Sequence, residues 1–286
     1  FVLYFHNDPL SMNGSITVKD RIFLLNMCSK IIFNSNWTKD RFVENLEKFY
    51  QSSSVLEVIY QSTSKKKINF KSKKKIITFV GKLNSSKGYD IFGNAVIKIL
   101  KKYNEWEAHV VGDEPREKIY FKHKNLIKHG FKKHNFVLKL LEKSSITVAC
   151  SRWEEPFGRS SLEAASNGCA VIISNRGGLP ETITDGVILK KLTTEILFKE
   201  IDGLIINQKK RTNLQTNSYN NFYLTHNYIS NLIDKVRDEN FAHTKFINLK
   251  KQKKPLRILH VTNFNERHNG RLFFNTGRRI NNGFVR

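Results

Sequence analysis

The stretch that decides the fold is Ser151-Arg-Trp-Glu-Glu-Pro-Phe-Gly-Arg-Ser-Ser-Leu-Glu-Ala-Ala-Ser-Asn-Gly-Cys-Ala-Val-Ile-Ile-Ser174. Before it, the apolar and β-branched run from Ser145 to Cys150 is typical of a strand buried on both faces. Pro156 prevents this strand from continuing, because proline cannot donate a hydrogen bond within a sheet. A short helix is expected next, ending at Gly168, and Cys169 to Ser174 predicts a second buried strand.

The loop before this helix has the features of an anion site. Gly158 gives the backbone freedom to approach a ligand closely, and Ser160 and Ser161 favour the start of a helix that runs to about Asn167. The free N–H groups at a helix N-terminus carry partial positive charge and attract anions. A phosphate-sized ligand is therefore expected at this loop.

Two carboxylates flank the helix start. Glu155 lies in the loop and Glu163 lies about one turn inside the helix, so both can face one pocket. Carboxylates beside an anion site are poor ligands for further anions, but they accept hydrogen bonds from sugar hydroxyl groups. Taken singly, Glu155 also fits a solvated loop residue, and Glu163 fits an acidic residue favoured by the helix dipole.

Beyond these single residues, the chain carries the pattern Glu155-Pro-Phe-Gly-Arg-Ser-Ser-Leu-Glu-Ala-Ala-Ser-Asn-Gly-Cys-Ala-Val-Ile172, followed by Gly177-Gly-Leu-Pro-Glu181. This pattern resembles the donor-binding signature of the family 4 (group 1) retaining glycosyltransferases of the GT-B fold. The resemblance implies that Glu155 contacts the donor sugar and that Glu163 contacts the nucleotide ribose. It also implies that the residues between them bind the donor: Phe157, Gly158, Arg159, Ser160 and Ser161.

A second motif lies upstream. The loop Gly81-Lys-Leu-Asn-Ser-Ser-Lys-Gly88 follows a predicted strand, Lys75 to Val80, and precedes a predicted helix, Tyr89 to Lys102. It resembles the glycine-flanked loop in which two cations of that family hold the donor diphosphate, which assigns this role to Lys82 and Lys87. Lys82 stands where the family usually has arginine, so bidentate phosphate contact is lost there. In so basic a chain, both lysines also fit ordinary solvated residues.

Two further candidates come from strand ends. His6 follows the strand Phe1 to Phe5, at the end that lines the ligand crevice in open α/β sheets. The resemblance places a histidine near the donor sugar at such a position. Gly130 and Phe131 end a short strand where family members pack the nucleotide base, although a structural phenylalanine fits equally well.

The alternation of strand-like and helix-like segments predicts an α/β protein with two Rossmann-like domains facing a cleft. A helix capped by Ser35 to Thr38 is expected from about Lys39 to Phe49, and terminal helices are expected within Asn217 to Arg237. The expected organisation begins with the closing half of a truncated N-terminal acceptor domain (1–64), a linker (65–74) and a C-terminal nucleotide-sugar-binding domain (75–215). Helices crossing back (216–238), a second linker (239–254) and the start of a further Rossmann-like unit (255–286) are expected after it. That last segment fits a tandem protein, and it also fits a circular permutation in which its strand completes the first domain.

The charge and composition of the chain limit the kinds of molecule that it is expected to bind. The net charge of +24 fits nucleic acid, an anionic membrane or acidic small substrates, and it also fits an A/T-rich coding sequence with no functional demand. A nucleic-acid tract is the weaker interpretation of the 62–75 linker, because Phe70 is its only aromatic residue. No metal-ligand spacing links the three cysteines, and no apolar run reaches the roughly 18 residues of a membrane span. A reducing cytoplasm is expected, with peripheral contact at the inner face of the membrane.

The resemblance covers about Phe1 to Arg237 and implies transfer of a sugar from a nucleotide diphosphate sugar to an acceptor hydroxyl, with retention of configuration. The expected acceptor is a sugar, glycolipid or polysaccharide, in cell-surface polysaccharide, lipopolysaccharide or glycolipid synthesis. No cofactor is expected, and the lack of an Asp-x-Asp motif predicts no metal requirement. The alternatives are a GT-B sugar-nucleotide epimerase or phosphorylase, a truncated donor-binding copy without turnover, and a basic nucleic-acid-binding protein.

Overall fold

The computed structural model describes residues 1–46 and 55–241, the side chains of the last two excepted. By its contacts the chain divides into two units, Phe1–Asn240 and Phe241–Arg286, and the architecture that follows is that of the first. The unit predicted for 255–286, and the 239–254 linker from residue 242 onward, lie outside the described residues.

A small parallel sheet forms the N-terminal part. It contains β1 (Val2–Phe5), β2 (Lys30–Phe33) and β3 (Leu56–Val58) in that order, with Ile31 paired to Leu3 on one side and to Leu56 on the other. Two helices follow its strands, α1 (Val18–Met27) and α2 (Asn36–Val43). Three rings whose centroids lie 5.2 to 5.6 Å apart fill the space beneath α2, those of Phe5, Phe33 and Phe42.

Helix α2 begins earlier and ends earlier than expected. Ser35 forms a capping box with Thr38, and its Oγ accepts a hydrogen bond of 3.0 Å from the Thr38 N–H, so the helix starts at Asn36. At the other end the buried Arg21 guanidinium donates to the carbonyl oxygens of Phe42 and Glu44. The capping by Ser35 and Thr38 was predicted correctly. The predicted start at about Lys39 is too late, because a helix begins directly after its cap residue.

A larger parallel sheet follows. Its strands are β4 (Lys74–Val80), β5 (Glu107–Val111), β6 (Leu126–Lys128), β7 (Ser144–Ala149), β8 (Ala170–Ser174) and β9 (Val187–Leu189), in the spatial order β6-β5-β4-β7-β8-β9. The chain moves outward from β4 to β6 and then returns to the other side of β4 with β7. The strand order therefore reverses between β4 and β7, and ligands of open α/β sheets bind beyond the C-terminal ends of the strands at such a point.

Six helices complete the described part of the chain: α3 (Tyr89–Lys102), α4 (His134–Lys143), α5 (Arg159–Ser166), α6 (Thr194–Ile206), α7 (Gln208–Asn220) and α8 (His226–Phe241). The expected terminal helical region is thus divided. The break occurs where the N–H of Thr63 donates to the carbonyl of Leu224 at 3.1 Å and Thr63 forms a β-bridge with Thr225. Backbone groups used in that bridge cannot continue a helix.

Apolar side chains fill both faces of the large sheet. One core cluster lies between the sheet and helices α3 and α6, and its members include Phe92, Trp106 and Ile201. The other packs α4 and α5 and continues to Ile32 of the small sheet and Ile229 of α8. The α/β class predicted from the sequence is confirmed, and burial on both faces explains why these strands read as continuous apolar runs.

Helix α5 ends in a Schellman motif. Gly168, with a φ of 63°, donates from its N–H to the carbonyl of Ala165 at 2.9 Å, and the N–H of Cys169 donates to the carbonyl of Ala164 at 3.0 Å. Next to it, the Lys73 ammonium donates to the carbonyls of Asn167 at 2.6 Å and Leu141 at 3.0 Å. This one side chain therefore caps the C-terminal ends of α4 and α5 together.

Among the helices in the described ranges, none is both long and apolar enough to cross a membrane.

Candidate active site

A cleft of about 450 Å³ opens at the C-terminal ends of β4 and β7, where the strand order reverses. We call β4 with residues 81–88 and α3 the first cleft segment, and β7 with residues 150–158 and α5 the second cleft segment. The cleft is lined by eight of the residues that the sequence singled out: Gly81, Lys87, Phe131, Glu155, Gly158, Arg159, Ser160 and Glu163. The structure thus brings together candidates from three separate motifs.

Lys87 and Glu155 face each other across the cleft. The Lys87 Nζ donates a hydrogen bond to Glu155 Oε1, although 68 residues separate the two in the chain. The Glu155 side chain is 14% exposed and that of Lys87 is 32% exposed, so the ion pair is partly shielded from water. A phosphate entering the cleft would compete with Glu155 for the ammonium group, leaving the carboxylate to accept hydrogen bonds from hydroxyl groups.

Glu163 lies deeper. Its side chain is 6% exposed, and Oε1 accepts hydrogen bonds from His134 Nε2 at 3.0 Å and from Arg159 Nη2 at 3.1 Å. A buried carboxylate needs such partners, because an unpaired charge in a low-dielectric site is costly. His134 was missed in the sequence interpretation. It lies 29 residues from Glu163 at the start of α4, and no spacing signal connects them.

The N-terminus of α5 points its backbone N–H groups toward the cleft without competition from a cap. Gly158 is the N-cap residue, and within the described residues no side chain caps this helix start. The Ser161 hydroxyl instead donates to the Gly158 carbonyl at 2.9 Å and lies 2.7 Å from Thr182 Oγ1. Ser161 is buried, so its contribution to the cleft is its position in the first helical turn.

Close backbone contacts join the two cleft segments. Gly88 has a φ of +71°, and a Cβ added there would lie 1.9 Å from the carbonyl oxygen of Cys150. The Ser86 carbonyl accepts hydrogen bonds from the N–H groups of Arg152 at 2.9 Å and Trp153 at 3.1 Å. Since only glycine permits this approach, Gly88 fixes the distance between the loop that carries Lys87 and the one that carries Glu155.

A third turn, at Gly177, packs against the backbone of Glu155. Gly177 has a φ of +57°, and a Cβ there would lie 2.2 Å from the Glu155 carbonyl oxygen, which accepts a hydrogen bond of 2.7 Å from the N–H of Gly178. Glu154 accepts from the N–H of Gly177 at 2.5 Å and pairs with Arg176 at 2.8 Å. The Glu154 carboxylate thus anchors this turn.

The small sheet contacts the second cleft segment directly. The Ser35 hydroxyl donates to the carbonyl of Pro156 at 2.6 Å. Glu181 accepts hydrogen bonds from the N–H groups of Asn36 at 2.7 Å and Trp37 at 2.9 Å, at the N-terminus of α2. The acidic end of the Gly177 to Glu181 motif therefore stabilises a helix of the other sheet, as the helix dipole favours.

The remaining candidates lie outside the cleft lining. Phe157 is buried in the core and its ring lies 5.7 Å from that of Tyr60. Lys82 is exposed, and Gly130 is exposed at a φ of +65° with its carbonyl accepting from the Gly112 N–H at 2.9 Å. His6 is exposed beside Tyr4, at 4.2 Å between ring centroids. Nearby protein atoms displace water from part of its ring, which lowers the pKa of His6.

Among the residues that the structure describes, no group of three His, Cys, Asp or Glu side chains is arranged to hold a metal ion. The cysteines at positions 28, 150 and 169 are free thiols, and burial raises the pKa of Cys150 to about 12.

Several curated proteins are similar in sequence. Spore coat protein SA of Bacillus subtilis (strain 168) is 32% identical over 126 residues, which are 40% of this chain and 33% of that protein. The 2-deoxystreptamine N-acetyl-D-glucosaminyltransferase of Niallia circulans is 31% identical over 120 residues, which are 40% of this chain and 31% of that protein. The chain thus spans about a third of the length of these relatives.

Solved structures share the fold. The structure of Anabaena Alr3699/HepE in complex with UDP-glucose aligns with a TM-score of 0.68 and 18% identity, over 83% of this chain and 72% of that one. Sucrose-phosphate synthase from Thermosynechococcus elongatus aligns with a TM-score of 0.65 and 16% identity, over 85% of this chain and 68% of that one. The two parallel sheets with their helices are those of GT-B glycosyltransferases, as the sequence predicted. A family model for the glycosyl transferases of group 1 matches residues 61–221, more than half of the chain, and the chain belongs to this family.

Proposed function

We propose that this chain is a retaining glycosyltransferase of family 4, which moves a sugar from a nucleotide diphosphate sugar to an acceptor hydroxyl. The observation that carries the proposal is one cleft lined by Lys87, Glu155, Glu163 and the start of α5. Two carboxylates, an ammonium group and uncapped helix N–H groups are what a sugar joined to a diphosphate would need. Membership of the family supports the same reaction class.

The proposed mechanism is mainly electrostatic. Sugar transfer passes through an oxocarbenium-like state while negative charge grows on the departing diphosphate. Lys87 and the N–H groups of Arg159 and Ser160 would stabilise that charge, with Lys82 adding a more distant, exposed cation. Arg159 would also remain close to the diphosphate through its bond to Glu163.

Glu155 is proposed to orient the donor sugar once phosphate draws Lys87 away from it. Glu163, held by His134 and Arg159, is proposed to accept hydrogen bonds from the ribose hydroxyls. The cleft mouth beside Gly130 and Phe131 would take the base, and His6 would approach the sugar from the small sheet. We expect the reaction to need no metal and no cofactor, because these residues supply all the positive charge in the proposal.

The substrates and setting are further parts of the proposal. Alr3699/HepE was solved with UDP-glucose, which makes UDP-sugars the first donors to test. A sugar, glycolipid or polysaccharide acceptor in cell-surface polysaccharide, lipopolysaccharide or glycolipid synthesis fits a cytoplasmic enzyme that works at the inner face of an anionic membrane. Specific nucleic-acid binding is not expected.

Donor binding is tested by thermal stabilisation with UDP-, GDP- and ADP-sugars. A ligand at about 100 times its Kd adds about 2.7 kcal/mol of stability to the folded state, which raises the Tm by about 5 to 10 °C in a domain of this size. Glu163→Gln should lose most of this shift, and the matched control Glu195→Gln, an exposed carboxylate of α6 outside the cleft, should keep it.

Turnover separates the remaining alternatives. Release of free nucleotide diphosphate only when acceptor is present supports a transferase, whereas isomerisation of the nucleotide sugar without acceptor indicates an epimerase. Donor binding with no turnover for any acceptor indicates a binding copy. If no nucleotide sugar raises the Tm of the wild-type protein, the proposal is wrong.

A further inference from the structure

One edge of the large sheet is rich in positively charged residues. Residues 118–136, which we call the cationic edge, contain six lysines and three histidines and no aspartate or glutamate. They comprise the end of the loop after β5, the whole of β6 and the start of α4, and β6 is the outermost strand of its sheet. The charge is therefore concentrated on an outer surface next to the cleft.

Exposed aromatic rings lie among these lysines. Tyr120 is 75% exposed, Phe131 is 65% exposed and Phe136 is 37% exposed. The Lys128 Nζ lies 5.6 Å from the centroid of the Tyr120 ring, and the Lys132 Nζ lies 5.5 Å from that of Phe136. One of these pairs joins the loop after β5 to β6, and the other joins the loop after β6 to the start of α4, so rings and ammonium groups alternate along the cationic edge.

Neighbouring carboxylates do little to neutralise this surface. Glu107 accepts from His109 Nε2 at 3.0 Å, and Glu114 is paired with Arg116 at 2.8 Å. Glu117 accepts a hydrogen bond of 3.0 Å from the N–H of Ser85 on the first cleft segment. The positive potential of the cationic edge thus extends into solvent.

We propose that the cationic edge docks this protein onto an anionic lipid bilayer. Each lysine close to an anionic bilayer surface strengthens binding about fivefold. Aromatic rings are favoured at the headgroup level, because they place an apolar body and a polarisable face at the boundary. This arrangement of lysines around exposed rings is the composition of a peripheral membrane surface.

The same contacts argue against single-stranded nucleic acid as the partner. Such binding depends on aromatic faces that are open for bases to stack on. Here Lys128 and Lys132 lie over the faces of Tyr120 and Phe136. Tyr120 and Phe136 therefore offer their edges and the lysines offer their charge, which suits a fluid layer of anionic headgroups better than a stack of bases.

Docking through the cationic edge would also bring the cleft close to the membrane surface. Phe131 and Lys132 belong to the cationic edge and line the cleft as well. A bilayer on this surface would lie at the cleft mouth, so that a lipid-linked acceptor could reach the donor without leaving the membrane. This consequence rests on the proposed transferase function, whereas the docking itself does not.

The test is sedimentation of the full chain with vesicles of phosphatidylcholine, with and without phosphatidylglycerol. Binding is expected only with phosphatidylglycerol and should weaken with salt. The triple variant Lys124→Gln, Lys128→Gln and Lys133→Gln avoids the cleft and should bind about 100-fold more weakly. The control removes three exposed lysines of α6 and α7 (Lys199→Gln, Lys209→Gln and Lys210→Gln) and should retain most of the binding.

Tyr120→Ser should reduce the binding that persists at high salt, because a ring at the headgroup level is not screened by ions. The Tm shift with donor, measured on each variant, separates this result from the test of the transferase. Equal sedimentation with both vesicle types, or equal loss of binding in the two triple variants, would overturn the proposal. So would a cationic-edge variant that binds vesicles like the wild type but has lost binding to single-stranded RNA.

Discussion

The two cleft segments have the same order of elements and opposite character. In the first, α3 has 14 residues and two lysines in its last turn, and its loop presents the exposed Lys82 and the half-buried Lys87. In the second, α5 has only eight residues, six of them buried, and its loop and helix present the carboxylates Glu155 and Glu163. Cations thus come from an ordinary amphipathic unit, and carboxylates come from a unit enclosed by the rest of the fold.

The two cleft segments therefore differ in how firmly the fold holds the backbone that carries their charged side chains. An ammonium group on a flexible stem reaches its target from a half-exposed loop. The shorter glutamate side chain has less reach and has to be brought to its position by the backbone, and the second segment is accordingly fixed by the turns at Gly88 and Gly177 and by Lys73 at the end of its helix. The predictions that follow test this contrast.

The largest expected effect compares the two lysines of the first segment. Lys87→Met should lower kcat about 100-fold or more, because it removes a cation from the charge that develops on the diphosphate. Lys82→Met should have a much smaller effect, because that side chain is exposed and outside the cleft lining. The measurement is kcat and KM for donor turnover, with the Tm of each variant to confirm folding. Equal losses would show that the cleft geometry does not select Lys87.

The next effect concerns the join between the segments. Gly88→Ala should destabilise the protein by about 3 kcal/mol or more, since it combines a positive φ with a Cβ that meets the Cys150 carbonyl. Gly14 is the matched control: it also has a positive φ, of +89°, but no atom lies within 4 Å of its added Cβ. Gly14→Ala should therefore cost about 1 kcal/mol. Denaturant unfolding measures both, and similar values would contradict the steric explanation.

A smaller effect is expected at the end of the second segment. Lys73→Met should cost about 2 kcal/mol, because the carbonyls of Leu141 and Asn167 lose a charged donor. Burial lowers the pKa of Lys73, but the hydrogen-bonded ammonium still caps both helices. Lys74→Met, at the exposed neighbouring position, should change stability by less than about 0.5 kcal/mol. The free energies of unfolding of the two variants, measured in the same buffer, test this prediction, and equal values would contradict it.

The smallest effect depends on pH and lies on the side of the sheet that carries the first segment. Burial and the nearby charges of His109 and Lys132 lower the pKa of His129. The neutral ring is therefore favoured in the folded state, so its contribution to stability is complete above the unfolded pKa of about 6.5 and is lost as the pH falls through the lower folded value. His129→Gln should flatten the decline in Tm between pH 7.5 and pH 5. An unchanged slope would assign the decline to other groups.

Much of the second segment was predictable from the sequence. The helix expected from Ser160 to about Asn167 is observed at Arg159–Ser166, and the following strand is observed at Ala170–Ser174. Local signals decide these elements: apolar β-branched runs, a proline that stops a strand and a glycine that ends a helix. The same signals identified the first segment, where the helix was expected and found at Tyr89 to Lys102.

Boundaries set by distant contacts were not predictable in this way. Helix α2 ends at Val43 where Arg21 binds the carbonyls of Phe42 and Glu44, and the break between α7 and α8 depends on a bridge to Thr63. These partners lie 21 or more residues away in the chain. Hydrophobic periodicity carries no information about them, because it reports only which face of an element is buried.

By itself, the sequence determined the α/β class, the order of strands and helices at the cleft, and which charged and hydroxyl side chains those segments carry. Only the tertiary structure decided that Lys87 lies against Glu155, that His134 and Arg159 hold Glu163, and that Phe157 and Ser161 are buried. Chain connectivity fixes the local geometry of a loop and its helix. The distance between two loops depends on how strands pair and how glycines let the backbones meet, and these are properties of the assembled sheet.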